Sequence, residues 1–185
     1  MEIPVRFVFL AFLADTNCVN FGQAHPGASQ LERWRDHGVI HLERATRLPG
    51  EGGNAARAAR RPRARYPFSI SGVEAADDFK LIERIGELLY PGGPRNANQE
   101  EHVESVFVAA RTHRILVTRE LGPPATPCKI LGSAERLERE LGVTVVTDAQ
   151  AVELVRAAIR RRDDRAARIS RECGIRLPDW VGRDE

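Results

Sequence analysis

The stretch Val5-Arg6-Phe7-Val8-Phe9-Leu10-Ala11-Phe12-Leu13-Ala14, followed at once by Asp15-Thr16-Asn17, decides how the chain is read. It is rich in β-branched and aromatic side chains and apolar on both faces. Such a run suits the centre of a parallel sheet, where helices cover both faces. Its continuous apolar part, Phe7 to Ala14, is too short to span a bilayer. It mimics the core of a secretory leader. However, Glu2 stands where positive charge belongs, and Asp-Thr-Asn replaces a small-residue cleavage site. The run is therefore read as a buried first strand.

Working outward, Ser29-x-x-Glu32 has the form of a capping box opening a helix that carries Leu31 and Trp34 and ends at Gly38. Val39-Ile40-His41-Leu42 reads as a second strand, which completes a βαβ unit. Helical periodicity returns over Val73 to Leu89, with Val73, Ala76, Phe79, Ile82, Leu88 and Leu89 on one broad face, and stops at Pro91-Gly92-Gly93-Pro94. Val103, Val106, Phe107 and Ala110 follow the i, i+3, i+4, i+7 spacing of another helix. Ile115 to Thr118 is a short buried strand. A helix over 133–141 ends at Gly142 and leads into the strand Val143 to Thr147. Asp148 caps a helix running to about Arg160. This alternation predicts a three-layer α/β/α sandwich with a mainly parallel sheet of about five strands. The domain is placed over residues 1–160, and residues 161–185 are read as a polar, Arg-rich tail or edge helix.

Residues 47–66 break the pattern. A Gly-rich loop precedes Ala55 to Arg65, which carries Arg57, Arg60, Arg61, Arg63 and Arg65. This is either a solvated insertion or an arm that contacts phosphates. Arginine dominates the whole chain: of 28 cations only Lys80 and Lys129 are lysine. A GC-rich coding sequence would give this bias, and so would phosphate gripping by bidentate guanidinium groups. The net charge of +2 excludes a histone-like protein. Cys18, Cys128 and Cys173 have no CxxC spacing, which argues against a disulfide framework or a structural zinc site and fits a reducing cytoplasm. No GxGxxG or GxxxxGK[ST] motif occurs, so a nucleotide-binding α/β protein is a weak option.

In parallel sheets, sites lie outside the carboxyl ends of the strands. Asp15 follows the first strand and Glu120 follows Ile115 to Thr118 by two residues. On neighbouring strands these carboxylates would face one another and call for a cation, with Mg²⁺ the natural choice for oxygen donors. A pair of such ions would activate water and stabilise a leaving oxygen in phosphodiester cleavage. Acids at strand ends also serve simply as turn and cap formers. Glu100, Glu101 and Glu104 at a helix start supply a third candidate, although the helix dipole alone favours acids there. Helical phase against the apolar stripe puts Glu101 on the far side and favours Glu104 or Glu100. His102 is read as a surface residue.

Taken together, the apolar strand into Asp15-Thr16-Asn17, the stretch Asn98 to Ala110 with Ile115-Leu116-Val117-Thr118-Arg119-Glu120, and Gly142 to Ala151 resemble the PIN domain, the fold of VapC-type toxins and related ribonucleases. The resemblance spans residues 5 to about 155, with a gap over 47–72. It implies Mg²⁺ or Mn²⁺ held by a cluster of acids and hydrolysis of RNA phosphodiester bonds. By position, Asp15 and Glu120 match two of the acids, and Glu101 or a neighbour such as Glu104 matches the helix acid. Glu43 and Glu51 are candidates for the acid after the second strand, and Thr16 and Asn17 would be polar companions of Asp15. Partners implied are RNA and an antitoxin-like protein, with no membrane and a homodimer left open. Glu120 is longer than the usual Asp, and the loop after it offers no further acid. A catalytically inactive PIN-like module that binds RNA or a protein is therefore the alternative.

Overall fold

A computed structural model describes residues 4–15, 26–45, 67–68, 76–119 and 129–184. These divide into two compact units. The first is built from residues 4–11, 26–42 and 148–184, the second from 12–15, 43–45, 67–68, 76–119 and 129–147.

The second unit carries most of the sheet. The strands are β1 (Ala11–Ala14), β2 (His41–Ala45), β3 (Pro67–Phe68), β4 (Ile115–Val117) and β5 (Val145–Val146), in the order β3-β2-β1-β4-β5. The first residue of β1 and the first two of β2 are counted with the first unit. β1 runs parallel to β4 with Ala14 opposite Val117. β4 runs parallel to β5, and β2 to β3. The chain is thus an α/β protein with a parallel sheet. Phe12 and Leu13 are fully buried, which is what an apolar run between two neighbours predicts.

Helices α2 (Ala76–Leu89), α3 (Ala97–Thr112) and α4 (Ala134–Leu141) belong to the same unit. Leu13, Ile85, Leu89, Val106, Leu116 and Leu137 form the centre of its core. Burial of each such side chain contributes about 1.5–3 kcal/mol. Asn96 caps α3 by accepting from the Gln99 amide at 3.1 Å, and His113 ends it in the left-handed region. Gly142 ends α4 with φ of 67°, as its position predicts.

Within α2, the apolar stripe deduced from periodicity fails at Phe79, which is 58% exposed. The inward position is taken by Asp78, buried and paired with Arg111 of α3 at 3.2 Å. An ion pair between the two helices thus replaces an apolar contact. α3 itself is buried well beyond one stripe: Val103 and the run Ser105 to Ala109 are all covered.

The first unit joins α1 (Pro26–Asp36) to α5 (Asp148–Cys173). Ser29 is not the cap of α1. The helix starts at Pro26, whose fixed φ and missing N–H suit a first turn, and Ser29 is exposed inside it. Gly38 leaves α1 with φ of 70°. α5 continues for 26 residues, well past Arg160, because Ala166 and Ile169 extend the buried stripe begun by Ala151, Val155 and Ile159. Residues 161–173 are therefore part of this long helix. The segment after it returns to the unit. Asp184 is buried, pairs with Arg6 at 2.5 Å and Arg162 at 3.1 Å, and its carbonyl accepts from Trp34 Nε1 at 2.6 Å. The Arg162 guanidinium also lies 4.4 Å from the centre of the Trp180 ring.

The N-terminal run is less regular than its composition predicts. Val8 donates to Val39 and His41 to Leu10, so residues 8–10 lie beside the start of β2. Phe9 between them has φ of 57° and is 80% exposed, and Val5 is also exposed. The left-handed backbone at Phe9 breaks the alternation and turns one aromatic ring outward.

Candidate acidic site

Asp15 leaves β1 at the carboxyl edge of the sheet. Its amide donates to the Val117 carbonyl at 2.9 Å, which extends the β1–β4 ladder by one step and brings Asp15 beside Thr118. The Asp15 side chain is fully buried. Its Oδ2 accepts from Thr118 Oγ1 at 3.1 Å and its Oδ1 from Ser105 Oγ at 3.2 Å. Ser105 and Thr118 are themselves buried. The site thus draws on β1, the residue after β4, and α3. These two hydrogen bonds hold the carboxyl group in one rotamer.

Contact with Ser105 fixes which side of α3 looks toward Asp15. At about 100° per residue, Glu101 lies about 40° from Ser105 and Glu104 about 100° away. The face that carries Ser105 therefore continues one turn earlier as Glu101, against the phase argument from the sequence. That argument assumed a single apolar stripe, whereas α3 is buried around most of its circumference. Glu101 and Glu104 are both half-buried, and Glu101 sits inside the helix rather than in an unwound first turn. Asp15 and the hydroxyl of Ser105 are brought together by the fold. The same register puts the chain of Glu120 two residues beyond Thr118, but Glu120 lies outside the described residues. So do Thr16, Asn17, Glu51, and Arg57, Arg60, Arg61, Arg63 and Arg65 of the arm.

Glu43 is not an open acid. It pairs with Arg114 at the end of α3, and both side chains are largely buried. Burial pushes the Arg114 guanidinium down from its ordinary pKa. His102 is half-buried rather than on the surface, and its Nδ1 meets the Tyr90 hydroxyl. Asp148 turns toward the first turn of α1: a Cβ at Gly27 would lie 2.7 Å from its Oδ2. Among the described residues no group of three or more His, Cys, Asp or Glu is arranged to hold a metal ion. No helix among them is long and apolar enough to cross a membrane.

Sequence reasoning missed Ser105 and Thr118. The available signal was a hydroxyl inside an otherwise apolar run, Val103 to Ala109, and a threonine closing a buried strand just before Arg119-Glu120. No protein-family model matches the chain, and neither a curated protein nor a solved structure matches it.

Proposed function

We propose that this chain is a PIN-like, metal-dependent endoribonuclease, with a three-layer sandwich around its parallel sheet. The observation that carries the reading is the buried Asp15 carboxylate at the carboxyl edge, beside Thr118, the residue after β4. Glu101, one turn from Ser105, and Glu120, two residues past Thr118 in the sequence, would complete a set of oxygen donors, the chemistry that Mg²⁺ or Mn²⁺ takes. Asp15, Glu101 and Glu120 would hold the ion, with Glu104 in reserve on the same helix. The ion supplies Lewis-acid stabilisation of charge on phosphate oxygens. Ser105 and Thr118 fix the Asp15 carboxylate in one rotamer, which pre-organises the donor. Thr16 and Asn17, which follow Asp15 in the sequence, would be its polar companions.

A specific observation favours the second reading, an inactive PIN-like module that binds RNA or protein. Both Asp15 oxygens accept hydroxyl hydrogen bonds and the side chain has no solvent exposure. A carboxylate so enclosed can serve structure alone.

Calorimetric titration of Mn²⁺ into the wild type and Asp15→Asn separates the two. The Asn side chain has the same shape, and either hydroxyl can rotate to accept from its amide, so the fold should survive. Mn²⁺ binding and RNA cleavage that vanish in D15N with little change in Tm support the nuclease. A folded wild type that takes up no Mn²⁺ sinks it and leaves the binding module.

A further inference from the structure

The distal half of α5 carries an arginine face that the acidic site does not use. Arg160, Arg161, Arg165, Arg168 and Arg171 are all exposed, and none forms an ion pair within the described residues. Between Arg160 and Glu172 the exposed acids are only Asp164 and Glu172. Asp163 is turned away: its carboxylate takes Arg162 Nε at 2.8 Å and the Gly182 amide at 2.9 Å. Arg162, the one arginine of the run that the unit buries, is spent on Asp163, Asp184 and the Trp180 ring.

At about 100° per residue the five free guanidinium groups fan over one side of the helix, opposite the stripe of Val155, Ile159, Ala166 and Ile169. They extend over about 16 Å, at 1.5 Å per residue. After the adjacent pair Arg160 and Arg161, such spacing offers a cation about once per turn along a rod held by its buried face. Like charges this close repel, so an isolated α5 face is poorly balanced, and a polyanion restores the balance.

We infer that this face of α5 binds the phosphate backbone of single-stranded RNA. Arginine forks match phosphate oxygens bidentately and need no base contact, so the surface reads backbone rather than sequence. An anionic bilayer fits less well. A helix that lies in a membrane presents an apolar face to it, and the apolar stripe of α5 is already covered within its own unit. The choice of RNA over DNA rests on the nuclease reading above; the cationic face stands without it.

The test uses the full chain in EDTA, with a fluorescent 20-nucleotide RNA, the matching single-stranded DNA and phosphatidylglycerol vesicles. The comparison is wild type, a variant with Arg160, Arg161, Arg165, Arg168 and Arg171 all changed to Gln, a variant with Arg57, Arg60, Arg61, Arg63 and Arg65 changed to Gln, and D15N. Each phosphate neutralised on a single strand contributes about 0.7 to the salt slope, so five give about 3.5. This corresponds to about a hundredfold loss of affinity between 50 and 200 mM salt. The wild type and D15N should both show this dependence. The helix variant should lose most of it and bind at least about tenfold more weakly at 50 mM salt. If that variant does not fold, the single reversals R161E and R168E give the same reading.

Unchanged RNA binding by the helix variant overturns the inference, as does loss confined to the arm variant. Tighter binding to the DNA or the vesicles than to the RNA overturns it too. RNA cleavage that depends on Asp15 but not on the α5 arginines would remove this surface and keep the nuclease. RNA binding lost with those arginines, in a protein that takes up no Mn²⁺, would do the reverse.

Discussion

Replacing Asp184 by Asn probes the clasp that closes the α1–α5 unit. The carboxylate receives Arg6 Nε at 3.2 Å and pairs with Arg162 Nη2 at 3.1 Å, and the Arg162 side chain is only 5% exposed. Breaking a buried pair by neutralising one partner costs about 3–5 kcal/mol, because the other charge stays buried. Arg162 keeps Asp163 at 2.7 Å, so the lower end, about 3 kcal/mol, applies. In a chain of this size that is a fall in Tm of roughly 6–12 °C. The Trp34 bond to the Asp184 carbonyl survives the change, so the loss isolates the side chain. Both tryptophans of the protein, Trp34 and Trp180, belong to this unit. Tryptophan fluorescence therefore follows its unfolding directly, beside far-ultraviolet circular dichroism for the whole chain. Burial raises the pKa of Asp184, but the hydrogen bonds and charges of Arg6 and Arg162 outweigh it and hold the group below its usual value. A depressed carboxylate contributes its full stability above the unfolded pKa, about 4, and loses it as pH falls through the folded value. The gap between wild type and D184N should accordingly be largest at pH 7 and shrink steadily from pH 5 to pH 2. A shift under about 2 °C at pH 7, well below the range worked out above, or a gap that is the same at pH 2, would refute the account.

Gly27→Ala should destabilise, against the gain of about 1 kcal/mol that helix propensity alone promises. Its Cβ would stand 2.7 Å from Asp148 Oδ2 and 3.0 Å from Cγ, forcing the buried Asp148 side chain to move, at about 1–3 kcal/mol; a urea midpoint above wild type would contradict this. Ser105→Ala removes the donor to Asp15 Oδ1 and should lower stability by about 1–3 kcal/mol, read as a lower urea midpoint with an unchanged m-value. An unaltered midpoint would mean that Asp15 does not depend on that hydroxyl.

The parts of this fold legible in the sequence are those set by local chemistry. The run into Asp15 announced a central strand because apolarity on both faces has few other uses. Gly38 and Gly142 announced helix ends because left-handed backbone favours glycine. Residues that answer to tertiary neighbours were hidden. Asp78 faces inward only because Arg111 of another helix waits for it. Glu101 was assigned to the wrong side because nothing in a single helix says how many of its faces will be covered. The start of α1 at Pro26 competed with a Ser29 box that satisfies the same rule on paper. The extension of α5 past Arg160 rested on Ala166 and Ile169, two weak signals amid many charges.

The clasp also has a consequence for the order in which the protein is made. Arg6 and Asp184 are 178 positions apart, and the unit they close is assembled from segments far apart in the sequence. A ribosome releases α1 long before α5. At 5–20 residues per second, the stretch between Asp36 and Asp148 takes roughly 6–22 s to emerge. Through that interval the sheet unit can settle while Leu31 and Trp34 wait without their helical partner. The nascent chain thus leaves the apolar side chains of the α1 segment without their partner for seconds, which exposes hydrophobic surface through that interval.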